Sequence, residues 1–547
     1  MALVRLRSRP RSGSVADWAQ PPAGRGGTRV GNLDSSQRAS VDPAGLVTID
    51  GRGWSLDWWI GAEDRWHLPG REAAVRQSLV GQSPVVETRV RIPSGDAVQR
   101  VYAALGPAGE DVLVVEVTNE SKVPFALALA VRPHAADRPG RVGSLALDGT
   151  LVRIDDAPAM RAARAPGRMA LSTAATGDSL MTVLEGAATP ARSDVVSCPD
   201  GLASGAFLFP LAHTATLRVA LPLDGSGAVE PSVLPDPHQV ASGWAAQTRR
   251  AATFEVPDRR LREALAASTR HLLLAATSPA EISALDLLGL ADEARVALTA
   301  DPVGLARTGV PGAALHALGW HWALTRDVAT ARTVVPTVAA LLTALPRTVD
   351  ALDSARGHAA LGLVADLLDA AGESTAASDV GTLVGTSTPA ESVDGALDWA
   401  EHLASASPTW TWAGPSTGHD LGANAALVTA VRQALVGEVA SGLALSPSVP
   451  AAWLGQGWEV HDAPTAHGRL SYAVRWHGER PALLWELDLH PGRAAPRLTM
   501  PGLDPSWSSR SAEGEALLAP VAVPVRPSGR RGLSLPVTIE PMPRREP

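Results

Sequence analysis

The sequence predicts a multidomain α and β protein: an N-terminal antiparallel β-sandwich, a central domain of helical hairpins and a small C-terminal β-domain. Three observations lead to this fold class. Apolar residues alternate with a period of two as far as about Val233, follow a helical period from Asp258, and alternate again from Gly442. A chain of 547 residues is also too long for one hydrophobic core, so several domains are expected.

The first alternating region predicts the sandwich. Short apolar runs such as 85–92, 112–117 and 125–131 recur along it and end at turn residues, which is typical of antiparallel strands. The number of these runs indicates two large sheets rather than a module of immunoglobulin size. We expect the sandwich at 30–240, after a disordered tail at 1–29 and before a linker at 241–257.

The central region, 258–441, predicts paired helices. Apolar residues such as Val334, Val338 and Leu341 recur there at helical spacing. The connection at 325–327 is short and ends in Asp327, an expected helix N-cap, and short connections predict antiparallel hairpins. About eight helices fit into this region, whereas a ring of six hairpins needs about twelve. The (α/α) toroid is therefore expected to be incomplete.

The last region, 442–547, predicts a second and smaller β-domain. Residues 470–476 alternate between apolar and polar side chains, and residues 482–487 form a second run that is a suitable partner strand. The return to a period of two marks the boundary with the helical domain.

Composition excludes several classes of function. The net charge of −8 argues against nucleic acid or an anionic membrane as the main partner. Cys198 is the only cysteine, which excludes an internal disulfide framework and a zinc site with several thiolates. No apolar run reaches the roughly 18 residues of a membrane span, and the N-terminus lacks a signal-peptide core. We expect a cytoplasmic protein without metal or cofactor.

Two further stretches carry a resemblance to a known family. Residues 313–327 read AALHALGWHWALTRD and are followed by a proline-containing helix at 334–338. Residues 442–453 and 463–472 read GLALSPSVPAAW and APTAHGRLSY at the entry to the second β-domain. These stretches resemble the six-hairpin glycosidases of the glycogen-debranching and glucoamylase-like kind. The resemblance implies a carbohydrate ligand and, in an active enzyme, inverting hydrolysis by two carboxyl groups.

The positions at which the resemblance implies catalytic acids carry other residues here. An "R-D" segment of the relatives corresponds to Ala276-Thr277, and a "D-x-N-G" motif corresponds to residues 309–312, which read GVPG. The connection at 277–280 is too short for a substrate-binding loop. Other carboxylates would therefore have to perform the chemistry.

The first candidate site is a cluster of tryptophans at 54–67. Trp58 and Trp59 lie on opposite faces of a predicted strand, and a loop at 61–67 follows it. Aromatic faces stack on sugar rings, and neighbouring acids bind hydroxyl groups. This reading gives Asp64 a catalytic role and makes sugar contacts of Trp58, Trp59, Glu63, Trp66 and His67. The alternative is that the tryptophans anchor the core between the sheets.

The second candidate site is a loop at 410–422. Trp410 and Trp412 are followed by His419 and Asp420, which resembles a late loop near the ring mouth of the relatives. This reading makes Asp420 the second catalytic carboxylate and the other three residues sugar contacts. The alternative is that both tryptophans pack within the loop and Asp420 caps the next helix.

Two hypotheses for the function stay open at this point. One is a glycoside hydrolase-like enzyme that acts on an oligosaccharide or glycoconjugate. The other is a catalytically inactive relative that binds glycan or serves as a scaffold. Whether two carboxylates face each other across a cleft distinguishes the two.

Overall fold

The computed structural model describes residues 27–33, 35–135, 138–225, 227–300, 305, 309–347, 350–384, 398–414 and 418–522. The predicted tail at 1–29 therefore lies mostly outside the described residues. Its last two residues do not belong to a tail, because Thr28–Val30 forms the first strand and pairs with Ala39–Val41.

The N-terminal domain is the predicted antiparallel β-sandwich. Its first sheet has the strand order β1-β2-β3-β4-β10-β17-β14-β15, with β5 beside β4, and its second has the order β16-β11-β12-β13-β18-β9-β8-β7-β6. The strands are β1 (Thr28–Val30), β2 (Ala39–Val41), β3 (Val47–Ile49), β4 (Ser55–Gly61), β5 (Trp66–His67), β6 (Val75–Leu79), β7 (Val86–Ile92), β8 (Gly95–Leu105), β9 (Asp111–Asn119), β10 (Phe125–Arg132), β11 (Ser144–Asp148), β12 (Leu151–Ile154), β13 (Ala157–Ala162), β14 (Arg168–Ser172), β15 (Thr189–Pro190), β16 (Asp194–Ser197), β17 (Ser204–Leu211) and β18 (Thr216–Pro222).

Strand β9 shows why some runs are apolar throughout instead of alternating. One face packs into the core between the two sheets. On the other face, Val112 and Val114 pack with Leu234 and Ala241, which come from the segment after the sandwich. A strand that is covered on both faces needs apolar residues at nearly every position.

The helices in chain order are α1 (Ser179–Leu184), α2 (Pro237–Thr248), α3 (Arg259–Ala275), α4 (Pro279–Leu287), α5 (Ala291–Ala300), α6 (Pro311–Thr325), α7 (Val328–Ala344), α8 (Ala351–Ala371), α9 (Ser374–Val384), α10 (Trp399–Ala404) and α11 (Leu421–Leu435). Helix α1 lies against the first sheet, and the helical domain extends from α3 to α11. Within the described ranges this gives nine helices, against the eight expected. Asp327 is the N-cap of α7, as predicted.

The predicted linker at 241–257 is wrong. Helix α2 occupies its first half and begins with a capping box formed by Asp236 and Gln239. The strand β19 (Thr253–Glu255) follows and pairs with a strand of the C-terminal domain, with Phe254 opposite Val460. This segment therefore joins the end of the sandwich to the C-terminal domain through a strand of its own.

The C-terminal domain begins at β20, six residues before the predicted boundary. Its strands are β20 (Val436–Val439), β21 (Gly442–Leu445), β22 (Trp458–Thr465), β23 (Gly468–His477), β24 (Arg480–Leu489), β25 (Arg497–Met500), β26 (Asp504–Ser509) and β27 (Glu513–Leu517). They form one sheet of order β19-β22-β23-β24-β27 and another of order β20-β21-β25-β26. The two predicted strands are β23 and β24, and they are antiparallel neighbours.

Candidate functional site

The tryptophans of β4 belong to the protein interior. Trp58 is 0% exposed in the core between the sheets, and its Nε1 donates to the Ala44 carbonyl oxygen at 3.0 Å. Trp59 is 1% exposed on the opposite face, where it packs with Leu180 of α1 and donates to Asp57 Oδ2 at 2.9 Å. The sequence was right about their opposite faces. The expectation that either ring stacks on a sugar is wrong, because neither face is open to a ligand.

The loop after β4 forms a closed ion-pair network. His67 Nε2 is hydrogen-bonded to Asp64 Oδ1 at 2.9 Å, and its Nδ1 lies 3.3 Å from Glu72 Oε1. Arg65 donates to both oxygens of Glu72. These contacts make the loop rigid. His67 Nε2 is therefore occupied, and its Nδ1 is buried, with no hydrogen-bond partner among the described residues.

This loop lies at the end of the sandwich that faces away from the helical domain. Glu63 accepts a hydrogen bond from Ser94, just beyond the end of β7, while the turn before β7 contacts α3 through Arg270 and the Gly81 carbonyl oxygen. The seven residues of β7 separate these two contacts by ~20 Å. Trp66 packs beside Trp59 at the same distant end.

The second predicted site lies in the junction between the sandwich and the helical domain. Asp420 is the N-cap of α11 and accepts a hydrogen bond from the backbone N–H of Ala423 at 3.3 Å. Trp410 and Trp412 are 8% and 7% exposed, and Trp412 stacks on His402 with ring centroids 4.5 Å apart. Both tryptophans therefore pack within the protein, and the expectation that they stack on a sugar is wrong.

The structure does not bring Asp64 and Asp420 together. Asn424, in the first turn of the helix that Asp420 caps, donates to Ser268 of α3, whereas Asp64 lies at the far end of β7. The contacts at the two ends of β7, one beside Asp64 and the other on α3, are ~20 Å apart, which exceeds the roughly 5–10 Å between the two carboxyl groups of glycosidases. The prediction that these residues form an acid–base pair is wrong.

His419 belongs to a buried hydrogen-bond network in the same junction. Its Nε2 donates to Asn424 Oδ1 at 2.6 Å, because the Asn424 amide group donates to Ser268 Oγ and to the Trp410 carbonyl oxygen. His271 Nε2 donates to the Thr409 carbonyl oxygen at 3.1 Å, and the two imidazoles meet edge to face at 4.8 Å. Both Nδ1 atoms are buried and have no hydrogen-bond partner among the described residues.

Because these two histidines are buried, we expect the free energy of unfolding to decrease in acid. Burial lowers the pKa of His271 to about 3 and the pKa of His419 to about 4. In the unfolded chain both imidazoles have the ordinary pKa of ~6.5, so they bind protons at a higher pH than in the folded protein. The stability that the neutral histidines contribute is therefore present above this pH and falls as the pH is lowered toward 4. We expect His419→Gln to reduce the pH dependence of the free energy of unfolding by about 1.4 kcal/mol per pH unit between pH 6 and 4.5.

Urea denaturation at a series of pH values measures this slope. His461→Gln is the matched control, because His461 is exposed beside Glu459 on the C-terminal sheet. Parallel pH profiles for wild type and His419→Gln would contradict the assignment.

A cavity of about 390 Å³ lies elsewhere, between the helical domain and the C-terminal β-domain. Its lining combines the ends of α4 and α6 with β22 to β24 and the loops beside them, and includes Asp286, Leu324, Thr325, Pro464, Arg469 and His490. A second cavity of about 330 Å³ beside β6 has Arg76 and Arg91 as its charged residues. The first cavity offers the larger variety of polar groups.

Asp286 and His321 form a buried pair at the first cavity. Asp286 Oδ1 and His321 Nδ1 are 2.8 Å apart, and the two residues are 1% and 3% exposed. Burial raises the pKa of the Asp286 carboxyl, and the hydrogen bond with His321 partly offsets this rise. Within the described part of the chain, Asp286 Oδ2 and His321 Nε2 have no hydrogen-bond partner. Asp286 is a lining residue of the cavity, and its buried Oδ2 is a polar atom that is costly to leave without a partner.

Sequence reasoning did not single out this pair. One signal was present: Asp286 stands between Leu285 and Leu287 in a mostly apolar helix, and a buried carboxylate is costly unless it has a partner. Among the described residues no group of three or more potential metal ligands occurs.

No protein-family model and no curated protein matches this sequence. Among solved structures, a bacterial glucoamylase complexed with acarbose is similar at 8% identity and a TM-score of 0.47, over 67% of this chain and 66% of that one. A protein from the human microbiome named as a kojibiose phosphorylase is similar at 6% identity and a TM-score of 0.44, over 91% of this chain and 96% of that one. A family GH92 α-mannosidase from Bacteroides thetaiotaomicron is similar at 9% identity and a TM-score of 0.32, over 68% and 65%.

This chain spans just under two thirds of the glucoamylase and of the mannosidase. Because all three TM-scores are below 0.5, the similarity assigns neither a ligand nor a reaction to this chain. Across the described ranges, no helix combines the length and hydrophobicity that a membrane span requires.

Proposed function

We propose that this protein binds a carbohydrate in the cavity between the helical domain and the C-terminal β-domain. The observation that carries the proposal is Asp286, a lining residue of the cavity whose buried Oδ2 has no hydrogen-bond partner among the described residues. A buried acceptor without a partner is costly, and a ligand hydroxyl satisfies it.

The rest of the lining suits a sugar. Leu324, Pro464 and Leu489 offer apolar surface for C–H groups, while Thr325 and Arg469 offer groups that bind hydroxyls. The volume of about 390 Å³ falls within the roughly 300–1,000 Å³ of small-molecule sites. This combination favours a mono- or disaccharide over a purely apolar ligand.

Binding without hydrolysis is the function that agrees best with the positions of the predicted catalytic carboxylates. The predicted acid and base, Asp64 and Asp420, lie too far apart to act on one glycosidic bond. A second candidate function is hydrolysis in the cavity itself, because Asp286 and Asp488 both line it. The raised pKa of Asp286 suits a general acid, and Asp488 is exposed at the rim.

Asp286→Asn tests the proposal. If the amide oxygen keeps the bond to His321, the cavity receives an N–H donor in place of the acceptor, and we expect ligand affinity to fall about 10-fold or more. Isothermal titration with glucose, maltose, glucose 6-phosphate and glucuronate measures this loss. Asp420→Asn is the control, since asparagine also caps a helix and Asp420 lies outside the cavity.

Two outcomes decide between the functions. Failure of all four sugars to bind wild type, or equal affinity of Asp286→Asn, would contradict the proposed function. Turnover of p-nitrophenyl α-glucoside that is lost in Asp286→Asn and kept in Asp420→Asn would assign hydrolysis to the cavity.

A further inference from the structure

Basic residues lie beside one end of the cavity, and His490 is the member of this group that belongs to the cavity lining. His490 lines the cavity, and its carbonyl oxygen accepts a hydrogen bond from the backbone N–H of Arg493. Arg326 directly follows Thr325, another lining residue, and the backbone N–H of His490 donates a hydrogen bond to the His467 carbonyl oxygen. Two arginines and two histidines therefore meet where α6 ends against the C-terminal sheet.

These basic residues affect one another electrostatically. Burial lowers the pKa of Arg326, and the charge of Arg493 lowers it further. Burial also lowers the pKa of His490, and Arg326, Arg493 and His467 act in the same direction. The pKa of His467 is lowered by burial and by both arginines, although Glu438 opposes this. The two arginines therefore repel each other, and the lowered pKa values keep both histidines mostly neutral near pH 7.

The nearby carboxylates are mostly engaged elsewhere. Glu438 accepts hydrogen bonds from Arg432 and from the backbone N–H of Ala466, both at 3.3 Å. Asp488 stands directly opposite Arg469 on the neighbouring strand, where the two charges balance. Asp286 is paired with His321.

Arg326 and Arg493 retain an excess of positive charge. The carboxylate nearest to Arg326 among the described residues is Asp366, at 4.0 Å and 59% exposed. Arg326 Nε is buried without a hydrogen-bond partner in the described structure. Arg493 is exposed and makes no ion pair with a described residue. The C-terminal end of α6 attracts one cation, but it does not account for the whole cluster.

We propose that the cavity binds an anionic sugar, with its phosphate or carboxylate against Arg326, Arg493 and His490 and its hydroxyls toward Asp286. This inference rests on the proposed function, that the cavity binds a carbohydrate. Guanidinium groups bind such anions through paired, charge-assisted hydrogen bonds. A neutral sugar would leave the repulsion among the cations in place, whereas an anionic sugar removes it.

Titration of the full-length protein with glucose 6-phosphate, glucuronate, glucose and inorganic phosphate tests the inference. We expect glucose 6-phosphate or glucuronate to bind about 10-fold more tightly than glucose, and the tighter of the two identifies the anionic group. Arg493→Ala should lower affinity for that anionic sugar about 10-fold and leave glucose binding unchanged. Arg326→Asn should do the same, since asparagine tolerates the left-handed conformation of this residue. The control is Arg475→Ala, an exposed arginine outside the cavity.

The outcomes separate this inference from the proposed function. If glucose binds as tightly as both anionic sugars, or if neither arginine variant changes the affinity, the anion subsite is overturned and carbohydrate binding stands. If inorganic phosphate binds as tightly as glucose 6-phosphate, the subsite is supported and the carbohydrate proposal is overturned. Failure of all four compounds to bind overturns both.

Discussion

Arg432→Met is expected to lower the free energy of unfolding by about 3–5 kcal/mol. Arg432 is 2% exposed and joins the last helix to the C-terminal β-domain. Its guanidinium donates to the carbonyl oxygens of Val436 and Pro464, and it lies 3.3 Å from Glu438 Oε1. Methionine fills similar space but leaves two carbonyl oxygens and a carboxylate without their buried donor. Urea denaturation followed by tryptophan fluorescence measures the change.

The control for this prediction is Arg475→Met. Arg475 also pairs with a glutamate, Glu459, at 3.2 Å, but its side chain is 66% exposed. An exposed ion pair contributes about 0–1 kcal/mol, so this variant should unfold nearly as wild type does. Equal losses in the two variants would show that burial of Arg432 does not determine its contribution.

Gly312→Ala is expected to destabilise the helical domain by about 3 kcal/mol, the upper end of the range for overpacking. Helix α6 meets α8 so closely that a Cβ at Gly312 would lie 1.7 Å from the Asp353 carbonyl oxygen. The Asp353 carboxylate also accepts hydrogen bonds from the backbone N–H groups of Gly312 and Ala313, which caps α6 in place of Val310. Separation of the helices would therefore lose a helix cap as well as packing.

Gly362→Ala is the matched control for this second prediction. Gly362 lies within α8, and a Cβ there would have no atom within 4 Å. Alanine should raise stability by about 0.5–1 kcal/mol through its higher helix propensity. Thermal unfolding of both variants tests the pair, and a Gly312→Ala protein as stable as Gly362→Ala would contradict the close approach of α6 and α8.

Local patterns predicted the elements whose structure depends on neighbouring residues in the chain. The period of two placed Trp58 and Trp59 on opposite faces of β4, and the structure buries them in separate clusters. Asp327 caps α7 because an N-cap needs only the backbone N–H groups two or three residues ahead. The short connection before α4 is likewise a local feature, since Ser278 in that connection caps the helix.

These local patterns could not predict contacts between side chains that lie far apart in the chain. Nothing near Phe254 indicates a partner strand about two hundred residues later, so its segment was assigned to a linker. Asp286 and His321 come from separate helices, and neither carries a local sign of the other. The separation of Asp64 from Asp420 likewise depends on which end of the sandwich meets α3.

The sequence by itself determined the order of a β-sandwich, helical hairpins and a small β-domain, because each period reports which side of a strand or helix is buried. Only the tertiary structure decided which carboxylates share a cavity. Residues such as Asp286 and His490 come together through the packing of the helical domain on the C-terminal sheet. That packing depends on contacts between segments far apart in the chain, which periodicity and spacing do not encode.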